Sequence, residues 1–465
     1  MGYDHGHQEA ANEGLGGAGA WLCSLTGRGP IKAQAIYKTI GVVIRDFVNI
    51  QLTRFEMKIP SLLTVSPDRL VRVTDPDEEV FALYTGLAGS SECATEFDAA
   101  KSEQAHRHPT QVGSLGFVDS GASRVAIRLE IRAPPPQPTD RPSGTVQNRR
   151  AARRAKACSS SQNGRDIQVE LKQDIFATKY RSGDTGSIVW RASIHLAEFL
   201  WYELLFPSTP EAPLVGPSEQ DGSKDERGFL DMKRLTGLGR ILELGAGTGS
   251  LGILCAGMFP PESRASWTVS DQFDLLAIIA RNFSHNQIGF STSGPRASDR
   301  EESGVLFSVE EIDWVEVEKQ WLKTQDIHQP RVQGNEKKAD SRARYDLILA
   351  VDCLYNESLI LPLLRTIDHL ASVESDGCCS RTGPTLVIVL SELRSSEVVE
   401  SFVRHWLALG PTWSIFRLPS SLLHRPYPSL NIANPHYVLW CAWKNRPSDD
   451  PTWARTTSPF KCRDL

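Results

Sequence analysis

The residues able to do chemistry fall into five short blocks. In the first, Ile241-Leu242-Glu243-Leu244 runs directly into Gly245-Ala246-Gly247-Thr248-Gly249. An apolar run entering a glycine-rich turn lets a ligand approach the backbone closely, and the helix start that follows offers free N–H groups to an anion. A dinucleotide-binding turn would carry its third glycine at position 250, where this chain has Ser250. Glu243, two residues before Gly245, suits a ligand with a free ammonium group. The second block, Val269-Ser270-Asp271, ends in a carboxylate that can accept bonds from both hydroxyls of a ribose or cap a helix. The third pairs Asp313 with Trp314, a carboxylate for an adenine amino group and an aromatic face for its ring; Trp314 reads equally well as a core residue. The fourth, Leu349-Ala350-Val351-Asp352-Cys353-Leu354-Tyr355, delivers polar groups at the end of an apolar run. Ala350 is counted there with the nucleoside site, Asp352 as the group that orients an incoming amine, and Tyr355 as a wall of its channel. Capping is the structural alternative for Asp352. The fifth, Ser182-Gly183-Asp184-Thr185-Gly186-Ser187-Ile188-Val189-Trp190, reads as a tight loop with Trp190 available to cover a ligand, or as a turn only.

These blocks need a scaffold, and the pattern of apolar residues predicts one. Strands are expected at 167–171, 240–244, 267–270, 305–309, 345–351, 385–390, 413–418 and 436–443. Helices are expected over 194–205, 248–258, 273–282, 358–370 and 396–409. Alternating strand and helix implies a mostly parallel sheet covered on both faces, with ligands at the carboxyl ends of its strands. The last two strands lack a helix between them, which predicts an antiparallel hairpin at the sheet edge. The fold class expected is therefore α/β: a Rossmann-like, seven-stranded, mostly parallel sheet with an N-terminal extension. The stretch Leu244 to Pro261 is apolar but glycine-rich and preceded by Glu243, so strand, turn and helix explain it better than a membrane span.

The surrounding sequence bounds the domains. Residues 1–30 are rich in glycine and polar groups and are expected to be disordered. Residues 31–133 carry apolar runs that imply partial order without revealing a fold. Residues 134–166 are dense in Pro, Ser, Arg and Gln and read as a linker or inserted loop. The catalytic domain is expected over 167–446, interrupted by polar insertions at 207–235 and 324–343, with a tail at 447–465. The linker holds the basic run Arg149 to Lys156, which reads as a solvated loop, a nuclear-import signal or an rRNA contact. A net charge of −5 gives no global drive towards nucleic acid or anionic membrane. Nine scattered cysteines, an odd number with no CxxC pair, predict reduced thiols in an intracellular protein without a zinc site. The N-terminus lacks the basic start and apolar core of a secretory signal.

A nucleoside site that also wants an ammonium group suits S-adenosylmethionine and not NAD. Taken together, the blocks resemble the class I, seven-β-strand methyltransferases of family 16, whose members mostly methylate protein lysines. Asp352 to Tyr355 matches that family's DxxY motif, Glu243 to Gly249 its glycine motif and Asp184 to Trp190 its upstream TGxxxW element. The spelling of Ser182 to Ser193 and of Val351 to Glu357 is similar to the fungal ribosomal lysine N-methyltransferase 5 type. The resemblance spans about residues 167–445, with a shorter echo at Glu79 to Tyr84. It implies S-adenosyl-L-methionine as cofactor and a lysine of a 60S ribosomal protein as acceptor. No membrane partner is expected, and the expected location is cytoplasmic, with nuclear entry left open by the basic run. No dedicated base is evident, so solvent is expected to take the amine's proton, with Asp352 steering the amine. A small amine or another protein remains open as acceptor. A nucleic-acid base is disfavoured because Asp352-Cys353-Leu354-Tyr355 stands where an NPPY-type tetrapeptide would be needed. A non-catalytic binding module is the reading from another class.

Overall fold

The computed structural model describes residues 58–97, 116–133, 164–180, 185–207, 228–292, 304–326, 345–371, 383–423 and 430–445. The basic run Arg149 to Lys156, residues 1–30, for which disorder is expected, residues 447–465 and Asp184 lie outside them. Residues 58–444 form one compact unit.

The strands in chain order are β1 (Val71–Arg72), β2 (Arg124–Ile131), β3 (Arg165–Lys172), β4 (Arg240–Leu244), β5 (Ser266–Asp271), β6 (Phe290–Ser291), β7 (Leu306–Glu311), β8 (Leu347–Val351), β9 (Leu386–Glu392), β10 (Trp413–Arg417) and β11 (Tyr437–Lys444). Nine of them make one sheet in the order β1-β10-β11-β9-β8-β4-β5-β7-β6. The pairs β9-β8, β8-β4, β4-β5, β5-β7 and β7-β6 are parallel. β11 runs antiparallel to both β9 and β10. The α/β class, the mostly parallel sheet and the antiparallel hairpin are thus as the sequence predicts. Two strands of two residues, β1 and β6, cap the two edges of the seven.

The central strands alternate between two cores, as side chains of period two must when both sheet faces are covered. In β8, Leu347, Leu349 and Val351 enter one core and Ile348 and Ala350 the other. The first core is covered by the helices Arg191–Leu205, Ser250–Cys255 and Phe273–His285, and the second by Glu357–Ala371 and Ser396–Ala408. Among the described residues no helix is long and apolar enough to cross a membrane.

Residues ahead of the expected catalytic domain join it. β2 pairs with β3 along its whole length, from Arg124 opposite Lys172 to Ile131 opposite Arg165. The outer edge of β3 is bonded by two side-chain amides, Asn282 in the helix Phe273–His285 and Asn286 at its C-terminal cap. Asn282 accepts from Lys172 N–H at 2.8 Å and donates to Lys172 O at 3.0 Å, and Asn286 donates to Glu170 O at 2.9 Å. β1 pairs with β10, and the helix Pro76–Phe97 sets Val80, Leu83, Tyr84 and Leu87 against the second core. That helix also buries Glu79, whose Oε1 accepts the Trp440 indole N–H at 2.9 Å and lies 2.9 Å from Arg417 Nε.

An acid buried between a guanidinium and an indole N–H cannot be removed without leaving the cation without its counter-charge and the indole without its acceptor. Glu79→Ala is expected to cost about 3 kcal/mol of stability, and Glu79→Gln less, because its amide oxygen still serves Trp440. Urea unfolding of the three proteins checks this, and a loss no larger than that of an exposed Glu→Ala change counts against the pin.

Candidate functional site

The glycine block turns where the sequence places it. Gly245, Gly247 and Gly249 all have positive φ, at 66°, 58° and 75°, a region other L-residues rarely occupy. The turn is tied to its neighbours: Asp271 Oδ2 accepts from Gly247 N–H at 2.7 Å, Ala246 N–H donates to Ser270 O at 3.0 Å, and Asn282 Nδ2 donates to Thr248 O at 3.0 Å.

Above this turn, at the carboxyl ends of the strands, lies a cavity open to solvent. Of the residues singled out in the sequence, Trp190, Gly245, Gly247, Asp271, Asp313, Trp314, Asp352 and Tyr355 line it together. Trp314 lies so near the turn that a Cβ added to Gly245 would meet its ring at 2.9 Å and Cys353 Sγ at 2.8 Å. Asp313 starts the helix Trp314–Asp326, accepting from the backbone N–H of Val315 at 2.9 Å and of Glu316 at 3.2 Å. Its carboxylate is thus a cap as well as a cavity wall. Asp271 is likewise shared, between the cavity and the Gly247 and Gln272 N–H groups. Trp190 donates its indole N–H to Thr185 O at 2.8 Å, and Phe117 packs against its ring at 4.6 Å between centroids. Tyr355 stands partly exposed at the rim.

Three of the expected residues do not line the cavity. Gly249 faces the core, where an added Cβ would press on Phe283 and Ile279. Ala350 is fully buried within β8, and its neighbour Val351 takes the cavity position. Glu243 corrects the expectation of an ammonium contact. Its alternation along β4 puts it on the face of Ile241, beneath the helix Ser250–Cys255, where it is buried and accepts the Trp267 indole N–H at 3.1 Å. Burial pushes its carboxyl up to about 8, against a smaller opposing effect of the Trp267 bond.

Asp352 is also placed differently from a free carboxylate awaiting an amine. It sits in the left-handed region at φ 57°, its side chain only 1% exposed. Arg394 clamps it with two bonds, Nη1 to Oδ1 at 2.8 Å and Nη2 to Oδ2 at 2.6 Å, and Glu392 N–H donates to Oδ1 at 3.3 Å. Arg394 Nη2 also meets Glu392 Oε2 at 2.8 Å, and the guanidinium carbon lies 5.0 Å from the centre of the Trp190 ring. Burial alone would lower the pKa of Arg394, but its bonds to the two carboxylates outweigh that and raise it.

The sequence reading missed Arg394 and Thr248. The signal for Arg394 was present: Ser391-Glu392-Leu393-Arg394 ends an apolar strand with charges, as Asp352 does. Thr248 lines the cavity with a buried hydroxyl that has no hydrogen-bond partner. An unmatched buried hydroxyl in a cavity wall fits a polar ligand group. No Lys, Arg or His is among the described residues lining the cavity, whereas Asp271, Asp313 and Asp352 are. Among the described residues no group of three or more His, Cys, Asp or Glu is arranged to hold a metal ion.

Residues 170–294 and 308–388, somewhat under half of the chain, match the model of a lysine methyltransferase family. This region is a methyltransferase domain, and that family uses S-adenosylmethionine. No curated protein matches the chain. Among solved structures, the chain is similar to a putative O-methyltransferase from Klebsiella pneumoniae, at 13% identity and TM-score 0.25, covering 58% of this chain and 94% of that one. It is also similar to the O-methyltransferase TomG from Streptomyces achromogenes, at 15% identity and TM-score 0.25, covering 46% and 77%. A third is an O-methyltransferase from Bacillus cereus, at 12% identity and TM-score 0.27, covering 46% and 77%. Likeness at these TM-scores identifies neither activity nor substrate.

The position of Glu243 makes a signed expectation about pH. Its folded-state pKa of about 8 exceeds the ordinary 4.5, so between those values the unfolded chain releases a proton that the folded chain retains. Its contribution to stability is complete below pH 4.5 and is lost as pH rises towards 8. Glu243→Gln keeps an acceptor for Trp267 and removes the titration. It should match the wild type near pH 4 and exceed it by a few kcal/mol, on the order of 2–4, at pH 8. Denaturant unfolding across that range checks it, and parallel pH profiles for the two proteins refute it.

Proposed function

We propose that this chain is an S-adenosylmethionine-dependent protein-lysine N-methyltransferase whose acceptor is a protein of the large ribosomal subunit. The observation that carries the cofactor and amine reading is the charge of the cavity. It is lined by Asp271, Asp313 and Asp352 and, among the described residues, by no cationic side chain. That wall suits a ligand bearing sulfonium and ammonium groups, and an acceptor that arrives as an amine. The match to a lysine methyltransferase family supports the same acceptor class.

When bound, the cofactor supplies an electrophilic methyl group on sulfur. Asp271 would hold the ribose hydroxyls, Trp314 and Asp313 the adenine, the Gly245–Gly247 backbone the methionine portion, and Trp190 would cover it. Tyr355 would wall the entry of the lysine side chain. The amine nitrogen needs its lone pair to form the new N–C bond as the C–S bond breaks, so it must enter neutral. No residue in the wall is arranged as a dedicated base, which leaves the proton to solvent. Holding the nitrogen in line with the methyl group supplies much of the acceleration. The ribosomal acceptor rests on the spelling of Ser182 to Ser193 and Val351 to Glu357. The Arg149 to Lys156 run would assist by contact with rRNA if assembled subunits are the substrate. The same reading makes the protein cytoplasmic, with that run also serving nuclear entry.

Two measurements test this. Gly247→Leu would place a side chain at φ 58°, with its Cβ 2.8 Å from Gly186 O, inside the wall that holds the cofactor. Calorimetry should show S-adenosylmethionine affinity reduced by at least about 100-fold in a folded variant; unchanged affinity removes the site from this turn. Labelled cofactor should next be incubated with intact large ribosomal subunits and, separately, with their free proteins, followed by mass spectrometry. Label on a lysine in either preparation is expected. Label confined to small amines, nucleic acid or other proteins refutes the ribosomal acceptor, and binding with no transfer to any of them favours a non-catalytic module.

A further inference from the structure

Two walls of the cavity come from segments far apart in the chain. One is Trp190, at the end of the loop before the helix Arg191–Leu205; the other is the turn Asp352 to Tyr355 after β8. Arg394, which follows β9 and is absent from the cavity lining, touches both. We infer that Arg394 is a positioning residue for methyl transfer, fixing the Asp352 carboxylate against the Trp190 wall so that one acceptor site of that carboxylate is presented to the incoming amine. The inference rests on the methyltransferase reading above.

An ionised carboxylate offers about four acceptor positions. Arg394 Nη1 and Glu392 N–H take those of Oδ1, and Arg394 Nη2 takes one of Oδ2. One position on Oδ2 remains. A bidentate guanidinium fixes the plane of its carboxylate as a single ammonium cannot. The fixed plane therefore sets the direction in which the last lone pair points. On its other side Arg394 is anchored by Glu392 at 2.8 Å and by the Trp190 ring, which Phe117 supports in turn. Gly116 closes over the cluster so tightly that a Cβ there would fall on the Glu392 and Arg394 side chains. The guanidinium thus has little freedom, and neither does the acid it holds.

The test compares wild type, Arg394→Lys, Arg394→Met, Asp352→Asn and the double variant Arg394→Met/Asp352→Asn. Two quantities are read: S-adenosylhomocysteine affinity by calorimetry, and the initial rate of transfer from saturating labelled cofactor to large ribosomal subunits and to the proteins of a soluble cell extract. Methionine keeps an apolar stem against Trp190 but cannot hold Asp352. Arg394→Met should therefore lower the rate by about 30-fold, in line with the cost of a misplaced reacting group, and leave affinity within about threefold. Arg394→Lys should recover part of the rate. The double variant should be no slower than Asp352→Asn alone, because a residue that acts through another loses nothing more once that other is gone. The double variant removes the Arg394–Asp352 pair together and leaves only the partly exposed Glu392 without its guanidinium, so it and the lysine variant carry the test if Arg394→Met does not fold. Losses that multiply in the double variant overturn the inference, as does an affinity that falls as far as the rate, or a rate that Arg394→Met leaves unchanged. A wild type that transfers no label to any protein fails the methyltransferase reading itself, and the inference with it; an active wild type with the wrong pattern of variants fails the inference alone.

Discussion

The hydrogen bond from Gly247 N–H to Asp271 Oδ2 is the constraint on which the site depends. A turn of three left-handed glycines is held by its surroundings, because glycine loses more conformational freedom on folding than any other residue. Here the end of β5 supplies an acid to the middle of the turn and a carbonyl to Ala246, while Asn282 takes the Thr248 carbonyl. The same Asn282 holds the edge of β3. One side-chain amide therefore ties the glycine turn, the helix Phe273–His285 and the β2-β3 ribbon together. The cavity floor is thus held from two elements, β5 and the helix Phe273–His285.

Charge is arranged with the same economy. Glu243, Asp271, Asp313 and Asp352 all sit at or near the carboxyl edge, yet each is held differently. Glu243 is buried and favours its neutral form, Asp271 and Asp313 accept backbone N–H groups, and Asp352 is met by a guanidinium. Arg394 stands behind the cavity wall, where it pairs with an acid without lining the cavity itself. A lysine or arginine in the lining itself would oppose a sulfonium.

Much of this was legible in the sequence, for physical reasons that also mark where legibility ends. β4, β8 and β9 are mostly apolar runs of five to seven residues, buried on both faces, with glycine or charge at or near their ends, a length and setting that favour a buried strand over a buried helix segment. The blocks at their ends converge because a parallel sheet brings the carboxyl ends of its strands to one edge. β1 and β6, two residues each, carry no periodic signal. β2 does alternate perfectly, yet its partner β3 lies beyond a long polar segment, and a single sequence does not show which strand it meets. Glu243 was misread for a reason the strand itself contains: alternation along β4 sets it on the face of Ile241, under the helix. Arg394 went unnoticed because its value comes from Asp352 and Trp190, residues 42 and 204 positions away, which only the fold brings to it.

The bond between Trp440 and Glu79 spans 361 positions. It sets a timetable for the birth of the molecule. At ordinary translation speeds, roughly 20 to 70 s separate the emergence of the helix Pro76–Phe97 from that of β11. Throughout that interval the helix carries an acid with neither of its partners yet synthesised, and Val80, Leu83 and Leu87 have no complete face to cover. β1 waits equally long for β10. The inner strands β4, β5, β7, β8 and β9 can assemble first, but the sheet closes only when its last-made strand slides between β9 and β10. The nascent chain must therefore keep an early-made apolar helix out of trouble until almost the whole polypeptide exists, a demand that falls on chaperones and on the pace of the ribosome.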